Sequence, residues 1–147
     1  MTTTPDAICV AARAKLATVA TNRDAASLFI EHKTNQPFDT APVGKVEAFE
    51  IINTRKTLLH AFGTTGIKEE QFYMVVRLGH GPFGKDYQRE TYVSRDVDRI
   101  ADIFEAYAFP VGTLGVWYED AITNKGNPNW WVTELFFRVV LNSAIET

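Results

Sequence analysis

The residues able to do chemistry in this chain are few and badly spaced for it. Its three histidines, His32, His60 and His80, show neither the HxxxH nor the HxH spacing of a metal site, and the single cysteine, Cys9, has no thiol partner in the chain. Cys9 lies inside an apolar helical pattern, so it is expected to pack as a small apolar residue. Ser27, Ser94 and Ser143 lie outside any GxSxG elbow. Two carboxylate pairs, Glu69-Glu70 and Glu119-Asp120, are neighbours in sequence near element ends. Paired acid-base work needs carboxylates held across a cleft, so these read as solvated charges. The stretch Gly79-His80-Gly81-Pro82-Phe83-Gly84 invites a phosphate-loop reading. It lacks both GxGxxG and GxxxxGK[ST] spacing, and no helical pattern opens directly behind it, so it reads as a turn with His80 as a loop histidine. These residues predict no catalytic, metal or cofactor site.

The elements around them are clearer. Thr4-Pro5-Asp6 combines a hydroxyl N-cap, a proline at the first helical position and an acid in the first turn, and it predicts a helix over residues 5–20. Asn22-Arg23-Asp24 is expected to end it. Strands are expected over 28–33, over 45–53 after the turn-like Pro42-Val43-Gly44, over 71–78, over 113–119 and over 130–141. Residues 54–71 carry Leu58, Leu59 and Phe62, but Gly63 and Gly66 break their pattern. They read either as a long connection with apolar contacts or as a short helix. A second helix is expected to start at a capping Asp96, with Val97, Ile100, Phe104 and Tyr107 on one stripe and Pro110 beyond its end. Residues 85–95 then form a polar insert, and 120–129 a hairpin loop.

Strands follow one another rather than alternating with helices. This predicts a single α+β domain, a mostly antiparallel β-sheet with two main helices packed on one face. A chain of 147 residues is the usual size for one core. Its net charge of −3, with scattered Lys and Arg, argues against tight nucleic-acid binding, which needs a basic patch. No apolar run approaches the roughly 20 residues that span a bilayer, and residues 1–5 lack the pattern of a secretory leader. No membrane partner is expected, and synthesis is placed in the cytoplasm.

Adjacent strand residues point to opposite faces, so Trp130 and Trp131 cannot share one. The run 130–141 is apolar on both faces, and two helices suffice to cover one of them. Self-association is the expected use of the other. Leu58, Leu59, Phe62, Phe83, Trp130 and Phe136 are the candidate interface residues.

The segment Glu31-His32-Lys33-Thr34-Asn35-Gln36-Pro37-Phe38 resembles the N-x-P-F element after the first strand of tail terminator (tail completion) proteins of long-tailed bacteriophages. The order of the later elements is also similar, the likeness covering roughly residues 5–145: a strand, the spaced glycines Gly63 and Gly66, an apolar strand, the 79–84 turn, a helix and a two-stranded ending. Two features depart from that pattern, the length of the insert 85–95 and the mixed Lys68-Glu69-Glu70 where basic residues are usual. The resemblance implies a virion protein of the tail-neck, assembled in the bacterial host cytoplasm. It implies a homohexameric ring that caps the tail tube, ends tube polymerisation and binds a head-completion or neck protein. Genomic DNA would pass its lumen without specific binding. Another neck, tube or baseplate subunit is the alternative within the virion. A small α+β enzyme or ligand-binding domain, with a pocket under Trp130-Trp131, is the alternative outside it.

Overall fold

The computed structural model describes residues 1–22, 27–40 and 47–145, apart from the side chain of Thr64. The expected turn at Pro42-Val43-Gly44, the strand start at Lys45 and the helix stop at Arg23-Asp24 lie outside them. Among the described residues the chain forms helix α1 (Pro5–Leu16), strands β1 (Ile30–Glu31), β2 (Glu47–Asn53), β3 (Thr57–Ala61) and β4 (Ile67–His80), helix α2 (Asp86–Ala106), and strands β5 (Thr113–Asn124) and β6 (Trp131–Ala144).

The six strands make one sheet in the order β1-β2-β4-β6-β5, antiparallel except for the short parallel pair β1-β2. Strand β3 also pairs with β4, below β2 and on the same side, so β4 meets β2 along its C-terminal half and β3 along its N-terminal half. Both helices pack on one face, as the α+β reading expects. Ile8, Cys9, Ala12 and Leu16 of α1, and Val93, Val97, Ile100 and Phe104 of α2, meet Phe49, Phe72, Met74, Leu78, Leu135, Phe137 and Leu141 of the sheet. Each large side chain fully buried there contributes about 1.5–3 kcal/mol.

Helix α1 starts as its cap residues dictate, with Thr4 Oγ1 accepting from Ala7 N. It stops at Leu16, four residues short of the expected end, because the Thr18 hydroxyl donates to Lys15 O (2.7 Å) and competes with the helical pattern. Val19 remains in the core, and an isolated antiparallel bridge joins Ala20 to Leu28.

Four other boundaries differ from expectation. Residues 54–71 are neither a long loop nor a helix. They hold β3, a 3-10 turn at Gly63–Thr65 and Gly66, whose left-handed φ of 73° lets the chain enter β4. Helix α2 begins at Asp86, not Asp96, so the supposed insert 85–95 is the first half of a 21-residue helix that opens directly behind the 79–84 turn. Its start is fixed by Gln88 Oε1, which accepts from Lys85 N (2.8 Å). Strand β5 runs to Asn124, so the loop to β6 is short and held by Asx turns from Asn124 Oδ1 to Gly126 N and from Asn127 Oδ1 to Asn129 N. The strand expected over 28–33 shrinks to β1, which offers only two residues of pairing.

Candidate subunit interface

Cross-strand register sorts the sheet residues by face. Phe72, Met74, Val76, Leu78 and their β6 partners Val139, Phe137, Leu135 and Thr133 face the helices. Tyr73, Val75 and Arg77, opposite Arg138, Phe136 and Glu134, face the other way, together with Ile52 of β2 and Trp117 and Ile122 of β5. No helix among the described residues lies on this second face.

One end of that face is covered by a loop. Phe38 folds back over the sheet and packs edge-on against Trp130, with ring centroids 6.0 Å apart and Ala48 and Val132 alongside. Trp130 Nε1 donates to Phe38 O (2.7 Å). The N-x-P-F element thus ends in a plug, and His32, which bonds Gln36 O (2.7 Å), braces it. Trp130 is therefore not an interface residue. It is 1% exposed and lies just before β6, while Trp131 occupies the opposite, helix-covered face. Both tryptophans are buried because the loop covers the face the helices leave open.

Phe83 is half-buried, packed edge-on against Tyr92 of α2 at 4.9 Å. Since α2 begins early, the expected turn 79–84 and insert 85–95 reduce to a short turn between β4 and that helix. Phe136 is half-buried on the uncovered face, at the floor of a 320 Å³ depression edged by Thr54, Tyr73, Glu119 and Asp120.

Leu58, Leu59 and Phe62 are the three candidates left in the open, at 57%, 45% and 41% exposure. Every residue of β3 is exposed, so this strand is an arm attached to the domain along β4 alone. Buried Glu70 holds its root. The Ser143 hydroxyl donates to Glu70 Oε1, and the ammonium groups of Lys56 (3.1 Å) and Lys68 (3.7 Å) converge on the same oxygen. Burial pushes the Glu70 carboxyl up, but the Ser143 and Lys56 hydrogen bonds and the two lysine charges outweigh it, and its pKa falls below the ordinary value.

Three of the four paired carboxylates are thus committed. Glu119 Oε1 accepts from the Tyr73 hydroxyl (3.1 Å), which raises the tyrosine pKa, and lies 3.3 Å from Arg138 Nε. Asp120 accepts from Ala121 N (2.8 Å). Burial pushes the Cys9 thiol up to about 11, opposed in part by the Arg13 charge, so the reactive thiolate is scarce at neutral pH.

Two polar clusters escaped the sequence reading. His80 is no loop residue but the buried last residue of β4, and its Nε2 donates to Asp96 Oδ2 (2.7 Å). Asp96 Oδ1 accepts from Asn22 N (2.9 Å) and Asn22 Nδ2 (2.8 Å). Arg89 lies over the Trp131 ring at 3.8 Å and donates to Pro128 O (2.9 Å). A 370 Å³ groove beside Trp131, between α2 and β5, is lined by Glu90, Ser94, Asp98, Tyr118 and Lys125 among others. The described residues hold no cluster of three or more metal-ligating side chains, and none of their helices is long and apolar enough to cross a membrane.

Compared with protein-family models and with curated proteins, the chain matches none of them.

Proposed function

We propose that the protein is a structural subunit that assembles with copies of itself into a ring, capping a phage tail tube and joining it to the head-neck. The observation that carries self-association is the β3 arm. It presents Leu58, Leu59 and Phe62 to solvent on a strand fixed at its root by a buried carboxylate and two lysines. An exposed apolar edge strand is a liability for an isolated domain and an asset for one that meets a partner. The resemblance in element order and in the Asn35-x-Pro37-Phe38 element supplies the rest of the reading: the ring, its six copies, the tube and neck proteins as partners, and DNA as passive cargo in the lumen. A net charge of −3 suits a lumen that lets DNA through. The role is architectural rather than enzymatic.

Negative-stain images and solution mass of the purified chain at high concentration test this. Rings with a tube-wide lumen are expected. A particle of one subunit at every concentration, with no rings in the images, refutes it.

A further inference from the structure

Taking the ring reading as its basis, we infer that the β3 arm of one copy adds as an antiparallel strand to the outer edge of β5 in the next copy, with Leu58 entering the cavity beside that edge. Four features of the chain support this contact.

The first is position. Among the described residues strand β5 ends the sheet on one side, and β3 lies outboard of β4 on the other, so each subunit carries an arm at one margin and an edge with no further strand at the opposite one. An arm at one margin and an acceptor edge at the other allow a head-to-tail contact that repeats from copy to copy, which is the contact a ring requires.

The second is level. Leu58 of β3 stands opposite Glu70, Glu70 opposite Leu141, and Leu141 opposite Thr113, so Leu58 and Thr113 lie on one transverse row of the sheet. Thr57, Gln71, Val140 and Gly115 form the next row. The root of the arm and the start of the acceptor edge are thus at the same height. Rotation about an axis parallel to the strands brings Thr57 and Leu58 level with Gly115 and Thr113 without a rise, while His60 and Ala61, in the rows of Asn142 and Ser143, reach past the start of β5. A contact between different heights would climb into a filament instead. Strand β3 runs opposite to β5, and such a rotation preserves strand direction, so the new pair is antiparallel.

The third is shape. Directly opposite residues share a face, so Leu58, in the row of core residue Leu141, projects on the helix side. On that side, where α2 ends beside the start of β5, a 260 Å³ cavity is lined by Phe104, Glu105, Tyr107, Phe109 and Leu114. Leu114 is half exposed at its rim.

The fourth is charge. Arg55 lies exposed at the start of the arm beside the Lys56–Glu70–Lys68 cluster, while the exposed acids near the acceptor edge are Glu105 and Asp120, with Glu119 held by Arg138. The margins attract as the pairing requires and repel when like meets like.

Complementation tests the contact. Leu58→Asp/Leu59→Asp disables the arm, and Leu114→Asp disables the acceptor edge. All three positions are exposed, so both variants are expected to keep the far-UV circular dichroism of the parent. Each alone should lose the ring and run as a monomer. Mixed, they should form dimers and nothing larger, because one intact arm meets one intact edge. As a second measurement, Leu58→Cys/Leu114→Cys should give on oxidation a ladder of cross-linked species up to the closed ring. Variants that still form rings beside a ring-forming parent, or a cross-linked parent-like ring that yields only monomers, overturn this contact and leave the ring reading intact. A mixture that remains monomeric overturns the head-to-tail arrangement. A parent that never assembles overturns the ring reading and this contact with it.

Discussion

Replacing Asp96 should damage the fold far more than a change at a surface acid of α2. Asp96 is wholly buried and receives three hydrogen bonds, from Asn22 N, Asn22 Nδ2 and His80 Nε2, at 2.8–2.9 Å for the first two and 2.7 Å for the last. These bonds tie the middle of α2 to the end of β4 and to the segment behind α1. In Asp96→Ala all three donors lose their acceptor. Asn22 is only partly buried and recovers some hydration, but His80 is 1% exposed and cannot. A buried donor left unpaired costs about 1–3 kcal/mol, more for a hydrogen bond to a charged group, and here three donors lose one acceptor together. The expected loss is therefore about 3–5 kcal/mol out of a typical total of about 5–15 kcal/mol. Asp96→Asn should cost less, about 1–2 kcal/mol by the same scale. The amide oxygen still serves Asn22, and His80 can move its proton to Nδ1, which makes no hydrogen bond in the parent, and accept at Nε2. Urea unfolding followed by tryptophan fluorescence, at one fixed protein concentration, gives both values. An Asp96→Ala variant within 1 kcal/mol of the parent, or an Asn variant as damaged as the Ala one, refutes the reasoning.

Gly79→Ala should destabilise by about 1–3 kcal/mol, the usual cost of overpacking, because its new Cβ would fall inside the six-membered ring of Trp130, which Phe38 pins from above; thermal unfolding checks it. Arg89→Lys should lose about 2 kcal/mol despite keeping its charge, since a lysine can neither stack flat on Trp131 nor reach Pro128 O with a forked donor, and the shift in urea midpoint at constant slope reads it. Glu70 supplies a pH dependence. Its folded-state pKa is lowered, so its contribution is present above the ordinary glutamate value of about 4.3 and is lost as pH falls through the folded value. The stability gap between the parent and Glu70→Gln should be widest near neutral pH and narrow below about pH 4; a gap that widens on acidification contradicts the assignment.

The strands legible in the sequence are those with at least one face in the core. Residues 71–78 alternate, 130–141 is apolar on both faces, and the structure keeps both at the centre of the sheet. Strand β3 had no such signal because both its faces are exposed, and alternation exists only where one side is buried. The first half of α2 was lost for a different reason. Its inward positions continue the helical period as Arg89, Val93 and Asp96, and two of those three are charged. Periodicity of apolar residues stops where a buried charge takes an apolar place. Asp96 then looked like a cap, since aspartate caps helices well, and only the arrival of His80 and Asn22 in three dimensions explains an acid in the core. No cap signature marked the true start: Gln88 accepts from Lys85 N, but the lysine at the N-cap has no oxygen to accept from the helix in return.

The same reasoning explains why the interface candidates divided as they did. Trp130, Phe83 and Leu58 are all large apolar residues, and sequence gives no means of ranking them. What separates them is whether another segment of the same chain reaches them. The loop carrying Phe38 reaches Trp130, and α2, once it begins at Asp86, brings Tyr92 to Phe83. Nothing among the described residues covers Leu58, because β3 is exposed along its whole length and its root is spent on Glu70 rather than on apolar packing. A charged root is a poor way to bury an arm and a good way to hold one out. Glu70 fixes the strand in register without drawing its leucines inward, so the apolar surface stays available to whatever docks there.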